Sequence, residues 1–251
     1  MAINWLVLDV SKFQPNINYA ETAKAVKGVI LRCGLTYWGK QNKGVDPCFE
    51  KHYKGFKAAG VPVGVYYYSA ADSVAKAKAE AAKCLEIIKG KKLEFPVYFD
   101  MENNERQGKL TGAQRYEIAD AFLSTVEAAG YFVGFYSYTS FINQMGTAYF
   151  NKLADKYTIW LADYRTKYDK KLRRDMHQYT SSGSVRGISG RVDLNHCYKD
   201  FPAIIKGAGL NGYGKQATRY KVKTDGMSAG DKKTICAKLD ALKIGYSVEE
   251  A

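Results

Sequence analysis

The segment FPVYFDME, residues 95–102, joins a run of apolar residues to two acidic side chains. A run that is apolar at nearly every position is typical of a strand covered on both faces, as in a parallel sheet. Asp100 and Glu102 stand two residues apart, so an extended chain points both carboxylates to the same side. The segment therefore predicts a buried parallel strand that ends in a pair of acidic groups.

Seven other segments share this apolar character, and stretches with helical periodicity separate several of them. With residues 95–100, the predicted strands are 5–10, 28–32, 61–68, 132–137, 158–162, 176–179 and 190–194. Helices are predicted at 47–59, 73–89 and 111–129, and the last starts with the capping-box pattern Thr111-x-x-Gln114. This alternation favours an α/β fold, a (β/α) barrel of the TIM type with some degenerate helices. A doubly wound open sheet is the alternative that periodicity alone leaves open.

The sequence changes character after residue 206. Glycine recurs in KGAGLNGYGKQA, which predicts a linker over 207–217 between a barrel over 1–206 and a small element over 218–251. The small element is predicted to be βαβ, with strands at 219–223 and 246–249 and a helix at 228–242. A piece this short does not bury a core alone, so it must pack on the barrel, dimerise, or belong to a truncated module.

The composition limits the class of protein and its partners. Hydrophobic residues make up 46% of the 251, too many for a disordered chain. The net charge of +13 indicates an anionic partner such as nucleic acid, a membrane surface or a polyanionic cell wall. The five cysteines lack C-x-x-C spacing, so we expect no disulfide framework, no zinc cluster and synthesis in a reducing cytoplasm. The N-terminal residues lack a signal-peptide pattern, and no stretch is apolar for long enough to insert in a membrane.

Four acidic residues fall at the ends of predicted strands. Asp9 ends the first strand, Asp100 and Glu102 close the fourth, and Asp193 lies at the end of the last. Side chains at the C-terminal ends of barrel strands line the active site. Two carboxyl groups held close together cannot both ionise freely, so one stays protonated beside a charged partner. Glycoside hydrolysis needs this pair, an acid for the leaving oxygen and a carboxylate at the anomeric centre.

Aromatic side chains are concentrated near the same strand ends, where they either stack on sugar rings or fill the core. They are Tyr66, Tyr67, Tyr68, Tyr136, Tyr138, Trp160, Tyr164 and Tyr179. The three histidines lack the H-E-x-x-H spacing of a zinc site, and neither a Gly-rich phosphate loop nor a G-x-S-x-G elbow occurs. We therefore expect no metal and no cofactor.

At these residues the sequence resembles glycoside hydrolase family 25, the lysozymes (N-acetylmuramidases) of phage endolysins and bacterial autolysins. The matching segments are LDVSKFQ (8–14), GVILRCG (28–34), AGVPVGVYYYS (59–69), PVYFDME (96–102), GYFVGFYS (130–137), IWLADY (159–164), HQYTS (177–181) and VDLN (192–195). Two positions depart from the family's pattern, with Tyr67 where His is frequent and His177 where Trp is frequent. The longer D-x-D-x-E motif of chitinase-like enzymes is not matched, because its first position is Tyr98.

The resemblance implies a barrel that cleaves the β-1,4 bond between N-acetylmuramic acid and N-acetylglucosamine in peptidoglycan. Glu102 would be the general acid, and Asp100 would orient the substrate's N-acetyl group or stabilise the oxocarbenium charge. Asp9 and Asp193 would complete the acidic floor. The residues implied in substrate binding are Tyr66, Tyr68, Tyr136, Trp160, Tyr164, Gln178, Asn195 and Arg32.

The resemblance also indicates the partner. Bacterial cell-wall peptidoglycan fits a positive charge around an acidic cleft, and no sequence pattern supports nucleic acid binding or membrane insertion. The alternative function is a catalytically inactive wall- or glycan-binding protein on the same barrel. Residues 218–251 would bind the wall or mediate a homodimer. The lack of a signal peptide predicts synthesis in the cytoplasm of a bacterial host and action on the wall after release.

Overall fold

A computed structural model describes residues 3–36, 43–166, 172–214 and 228–241. The chain divides into two compact units, Met1–Gly214 and Lys215–Ala251. The strands of the first unit are β1 (Trp5–Val10), β2 (Gly28–Thr36), β3 (Lys43–Val45), β4 (Val63–Tyr68), β5 (Val97–Asp100), β6 (Val133–Tyr138), β7 (Thr158–Ala162), β8 (Met176–Gly183) and β9 (Val192–Cys197).

Eight of these strands close into a barrel in the order β1, β9, β8, β7, β6, β5, β4, β2, and β3 is added to β2 at the edge. The barrel closes because β1 and β2 pair in parallel, with Val7 opposite Gly28. This closure confirms the predicted α/β barrel and excludes the open sheet. The carboxyl ends of the parallel strands form one end of the barrel, the mouth, and the opposite end is called the lower end.

The last strand departs from a fully parallel barrel. β9 runs antiparallel to both of its neighbours, β1 and β8. It begins at Val192 rather than ending near Leu194, so Asp193 lies at its start and not at its end. An antiparallel strand starts where its parallel neighbours end, and Asp193 therefore still reaches the mouth. It faces Asp9 directly across the pair.

Eight helices belong to the described part of the first unit. They are α1 (Tyr19–Ala23), α2 (Phe49–Ala58), α3 (Val74–Ile88), α4 (Asn104–Gln107), α5 (Gly112–Ala128), α6 (Thr139–Met145), α7 (Thr147–Lys156) and α8 (Phe201–Ala208). The predicted capping box of α5 is confirmed, since Thr111 Oγ1 accepts from Gln114 N and Gln114 Oε1 accepts from Thr111 N. The short α1 and α4 are the degenerate helices that the prediction allowed.

Apolar side chains form two layers, one inside the barrel and one between the strands and helices. Inside lie Val7, Ile30, Phe95, Tyr98, Tyr136, Trp160 and Met176. Side chains two residues apart on a strand share a face. Asp9 and Asp100 follow the inward-facing Val7 and Tyr98 by two residues, so both acids point into the barrel at its mouth.

The lower end of the barrel is closed by α8 and the residues after it. The Phe201 ring lies 5.8 Å from that of Phe95 and 5.9 Å from that of Phe132. Asn211 is fully buried with φ 55°, accepts a hydrogen bond from Phe132 N at 2.6 Å and donates to Phe95 O at 3.0 Å. Of the predicted linker, residues 207–208 therefore finish α8 and residues 209–214 pack as turns on the barrel, because glycine suits tight turns as well as linkers.

The second unit is described only over 228–241. It contains α9 (Ala229–Ala241), which lies within the predicted helix 228–242. The predicted strands at 219–223 and 246–249 lie outside the described residues. Across the described ranges, we find no helix with the length and apolar character needed to cross a bilayer.

Candidate active site

The mouth of the barrel brings the four predicted acids together. Asp9 lies in β1, Asp100 ends β5, Glu102 follows two residues later, and Asp193 is the second residue of β9. Electrostatic interactions couple Asp9 with Asp193, Asp100 with Glu102 and Asp9, and Glu102 with Asp193. The sequence analysis therefore selected four acids that the fold brings into one cluster, although the first and the last, Asp9 and Asp193, are 184 positions apart in the chain.

Asp9 is buried and is fixed by two amide side chains. Its Oδ2 accepts hydrogen bonds from Gln178 Nε2 at 3.1 Å and from Asn195 Nδ2 at 2.8 Å. Burial raises the pKa of Asp9 well above its usual value, and the negative charge of Asp193 raises it further. The pKa of Asp193 is raised by burial as well. The two facing carboxyl groups thus hold protons more tightly than free aspartates do.

Gln178 joins Asp9 to two tyrosines. Its Oε1 accepts from the hydroxyl of Tyr136 at 3.0 Å and from that of Tyr164 at 2.6 Å, while its amide nitrogen donates to Asp9. The sequence resemblance implied contact with substrate for all three residues. In the structure Gln178 is buried and its hydrogen bonds go to Asp9 and the two tyrosines, and of the three residues only Tyr164 is mostly exposed, at 53%.

Asn195 has an equivalent role and donates to the same oxygen of Asp9. Its Oδ1 accepts from Trp160 Nε1 at 2.7 Å, and its Nδ2 donates to Val7 O at 3.1 Å as well as to the acid. Asn195 is fully buried and Trp160 nearly so. The Trp160 indole therefore supports the floor of the site through Asn195.

Two tyrosines of the run Tyr66-Tyr67-Tyr68 face the mouth. The Tyr66 ring packs edge-on against Trp160, with centroids 6.0 Å apart. Tyr68 lies opposite Asp100 across the β4–β5 pair. Both are half-buried, so their rings form part of the wall beside the acids.

The two departures from the family's pattern face outward. Tyr67 packs against Phe122 of α5, with ring centroids 6.0 Å apart. His177 Nε2 lies 2.8 Å from the backbone oxygen of Asp163. Neither position contributes a side chain to the inside of the barrel, because the neighbouring residues on the same strands point inward.

Arg32 lies beside the acids, where it is almost fully buried. Its Nε and Nη2 contact Asp46 Oδ2 at 2.7 and 2.6 Å, and its charge lowers the pKa of Asp100. The Phe13 ring lies over the guanidinium, 5.3 Å from it, and is 71% exposed. Phe13 was not among the predicted residues, and its position in the loop after the first acidic strand was the available signal.

A cavity of about 470 Å³ opens next to Glu102. Its lining includes Tyr136, Tyr138 and Tyr164 from the predicted aromatic set, together with residues that the sequence analysis did not select: Thr139, Ser140, Asn143, Asp163 and Arg165. Most of these lie in α6 or directly after β7, and α6 was not predicted. The cavity gives the catalytic mouth a polar and aromatic pocket large enough for part of a ligand.

Glu102 and Asp100 form the pair of carboxyl groups expected of a glycosidase. Burial raises the pKa of Glu102 to about 7, and the charge of Asp193 contributes. Burial and Glu102 also raise the pKa of Asp100, against the effect of Arg32. Two such groups titrate as a unit, so near neutral pH the pair can hold one proton and one negative charge. No group of three or more metal-binding side chains is found in the described ranges.

The charge of Asp193 offers a test of these electrostatics through Asp193→Asn. A catalytic acid that must be protonated is active below its pKa, and the activity is lost as the pH rises through that value. Removing the negative neighbour favours ionised Glu102 and lowers its pKa, so the alkaline limb of kcat/KM moves to lower pH. The shift is smaller than the whole displacement from 4.5 to about 7, because burial is the larger cause. A pH profile of peptidoglycan hydrolysis measures it, and an unmoved limb contradicts the assignment.

Comparison with known proteins gives a consistent family. The model of glycosyl hydrolases family 25 matches residues 8–188. The autolytic lysozyme of Clostridium acetobutylicum is 27% identical over 194 residues, which are 75% of this chain and 54% of that protein. The chain thus spans about half the length of this relative.

Solved structures agree with the fold. The modular autolysin LytC of Streptococcus pneumoniae superposes with a TM-score of 0.66 at 28% identity, over 78% of this chain and 47% of that one. The catalytic domain of endolysin ply40, from bacteriophage P40 of Listeria monocytogenes, has a TM-score of 0.65 at 26% identity, over 81% and 97%. The resemblance noted in the sequence is confirmed, and the chain belongs to glycosyl hydrolases family 25.

Proposed function

We propose that this protein hydrolyses peptidoglycan at the β-1,4 bond between N-acetylmuramic acid and N-acetylglucosamine. The observation that carries the proposal is the pair at the mouth. Glu102 has a pKa of about 7, and Asp100 beside it has an Oδ1 with no hydrogen-bond partner within the described ranges. A protonated acid next to a second carboxyl group that can carry negative charge is what glycosidic bond cleavage requires.

In this mechanism Glu102 donates its proton to the oxygen of the leaving sugar. As the glycosidic C–O bond breaks, positive charge develops at the anomeric carbon, and Asp100 supplies the negative charge that stabilises it or orients the acetamido group that attacks it. Water then adds to the anomeric carbon, and the proton it gives up restores the protonated carboxyl of the pair. Arg32 favours the ionised form of Asp100. Asp9, which is fixed by the amides of Gln178 and Asn195, completes the acidic floor together with Asp193, which faces it across the β1–β9 pair.

The relatives support the substrate class. LytC was solved in complex with a synthetic peptidoglycan ligand, and the C. acetobutylicum protein is an autolytic lysozyme. The net charge of +13 suits an anionic wall polymer better than a neutral glycan. Action on the wall after release from a host cytoplasm is part of this proposal.

Mass spectrometry of muropeptides tests the bond that is cut. Purified peptidoglycan is digested and the products are reduced with borohydride, which labels each new reducing end. We expect reduced N-acetylmuramic acid. Reduced N-acetylglucosamine instead would show that the other glycosidic bond is cut. Binding to the wall without any new reducing end would support the alternative, an inactive wall-binding protein.

We also propose that residues 218–251 bind the wall or mediate a homodimer. Because residues 207–214 pack on the barrel, a truncation should follow Gly214 rather than remove them. The shortened chain is expected to keep its rate on soluble glycan fragments and its melting temperature. It should lose wall pull-down or half of its solution mass. Unchanged binding and mass would leave this segment as a structural tail.

A further inference from the structure

The backbone on both sides of Glu102 is fixed by buried hydrogen bonds. Before it, Met101 N donates to Tyr136 O at 3.1 Å, and Met101 O accepts from Ser137 Oγ at 2.7 Å. After it, Asn103 N donates to Gln107 Oε1 at 3.0 Å. The first two contacts come from β6, so only the third depends on a side chain of the loop itself.

Gln107 is fully buried, and both the oxygen and the nitrogen of its side-chain amide make hydrogen bonds. Its Nε2 donates to Ser69 Oγ at 3.2 Å and to Ala71 O at 3.0 Å, while its Oε1 holds Asn103 N. A side-chain amide nitrogen has two hydrogens, and both are bound here. The side chain therefore ties the loop that carries Glu102 to the loop that follows β4.

The other end of this connection is a buried carboxylate. Ser69 Oγ donates to Glu80 Oε2 at 2.6 Å, and Glu80 Oε1 accepts from Ala70 N at 3.1 Å. Ser69 N also donates to Asp100 O at 3.0 Å. Gln107, Ser69 and Glu80 thus form a chain of buried polar groups, the Gln107 chain, which links α3 and two mouth loops. Glu80 is only 2% exposed and has no part in the proposed mechanism.

We propose that Gln107 is a positioning residue, which holds Glu102 through the backbone of Asn103 so that its proton lies in line with the leaving oxygen. The inference rests on the proposed function. A misplacement of about 1 Å at a reacting group is enough to cost on the order of 10²-fold in rate. A polar chain that is satisfied at every atom is suited to prevent such a shift.

Gln107→Met tests the proposal, since it keeps the length of the side chain and removes its three hydrogen bonds. We expect kcat to fall about 10- to 100-fold with KM within about twofold. The alkaline limb of the pH profile should also move to lower pH, because a looser Glu102 is better hydrated and burial is the main cause of its raised pKa. Ser69→Ala, outside the acid's own loop, should act in the same direction and replaces Gln107→Met if that variant does not fold.

Asn211→Ala is the matched control. It also removes two buried side-chain hydrogen bonds, but at the lower end of the barrel. It should lower the melting temperature and leave kcat and the pH profile unchanged. The proposal is overturned if folded Gln107→Met or Ser69→Ala keeps the wild-type kcat and profile, or if Asn211→Ala changes them equally. Retained activity in Glu102→Gln would instead overturn the proposed function, so the two failures are distinguishable.

Discussion

Glu102→Gln is expected to lower kcat on peptidoglycan by about 10²- to 10⁴-fold, the usual contribution of a general acid. The amide has nearly the same shape but no proton to donate, so the leaving sugar must depart as an unprotonated oxygen. Substrate binding does not depend on that proton, and KM should stay within about twofold. The rate of release of new reducing ends measures the effect.

The control for this variant is Glu105→Gln. Glu105 lies in the same loop region, in the first turn of α4, and its side chain is exposed. The Glu105→Gln variant loses the same negative charge three residues away from Glu102 and should keep the wild-type rate. If Glu102→Gln also kept the wild-type rate, the acid would have to be sought elsewhere in the mouth.

Asp100→Asn is expected to lower kcat on the order of 10²-fold, as removal of a group that stabilises charge in a transition state does. The Asp100 side chain is 3% exposed, and its Oδ1 is left without a hydrogen bond by the described part of the protein. An asparagine fills the same space but cannot carry the negative charge that the anomeric carbon requires.

Asp72→Asn is a suitable comparison for Asp100→Asn. Asp72 is an acid on the loop after β4, where it pairs with Lys76 and Arg106 at the surface. Its loss should change kcat by less than about twofold, since exposed ion pairs contribute little. If Asp100→Asn kept the wild-type kcat, the charged partner of Glu102 would have to be Asp9 or Asp193 instead.

The fold was predictable because the strands of a barrel are buried on both faces. Strands β1 and β7 coincide with the predicted ranges, since a short run of apolar residues is typical of a fully buried strand. The direction of β9 was not predicted, although a signal existed. The connection to β8, residues 184–191, is shorter than the dozen or so residues that a parallel crossover needs.

The acids of the site were accessible to sequence reasoning, whereas the contacts that support them were not, even where the supporting residue, such as Arg32, was named. Asp100 ends an apolar strand and Glu102 comes two residues later. In an extended chain this spacing points both side chains to the same side. Gln107 and Arg32 owe their positions to partners that no local pattern marks. The hydrogen bonds of Gln107 to the loop after β4 join residues 36 and 38 positions apart, and that of Arg32 joins residues 14 apart, so only the folded chain shows them.

The antiparallel direction of β9 also determines at which end of the barrel a tag or a fusion partner can be attached. β1 starts at the lower end and β9 finishes there, with Trp5 opposite Cys197 in the sheet. Both ends of the barrel unit therefore leave from the side opposite the acids. A purification tag, a surface linker or a fused reporter can be attached before Trp5 or after Gly214 without approaching the acids at the mouth.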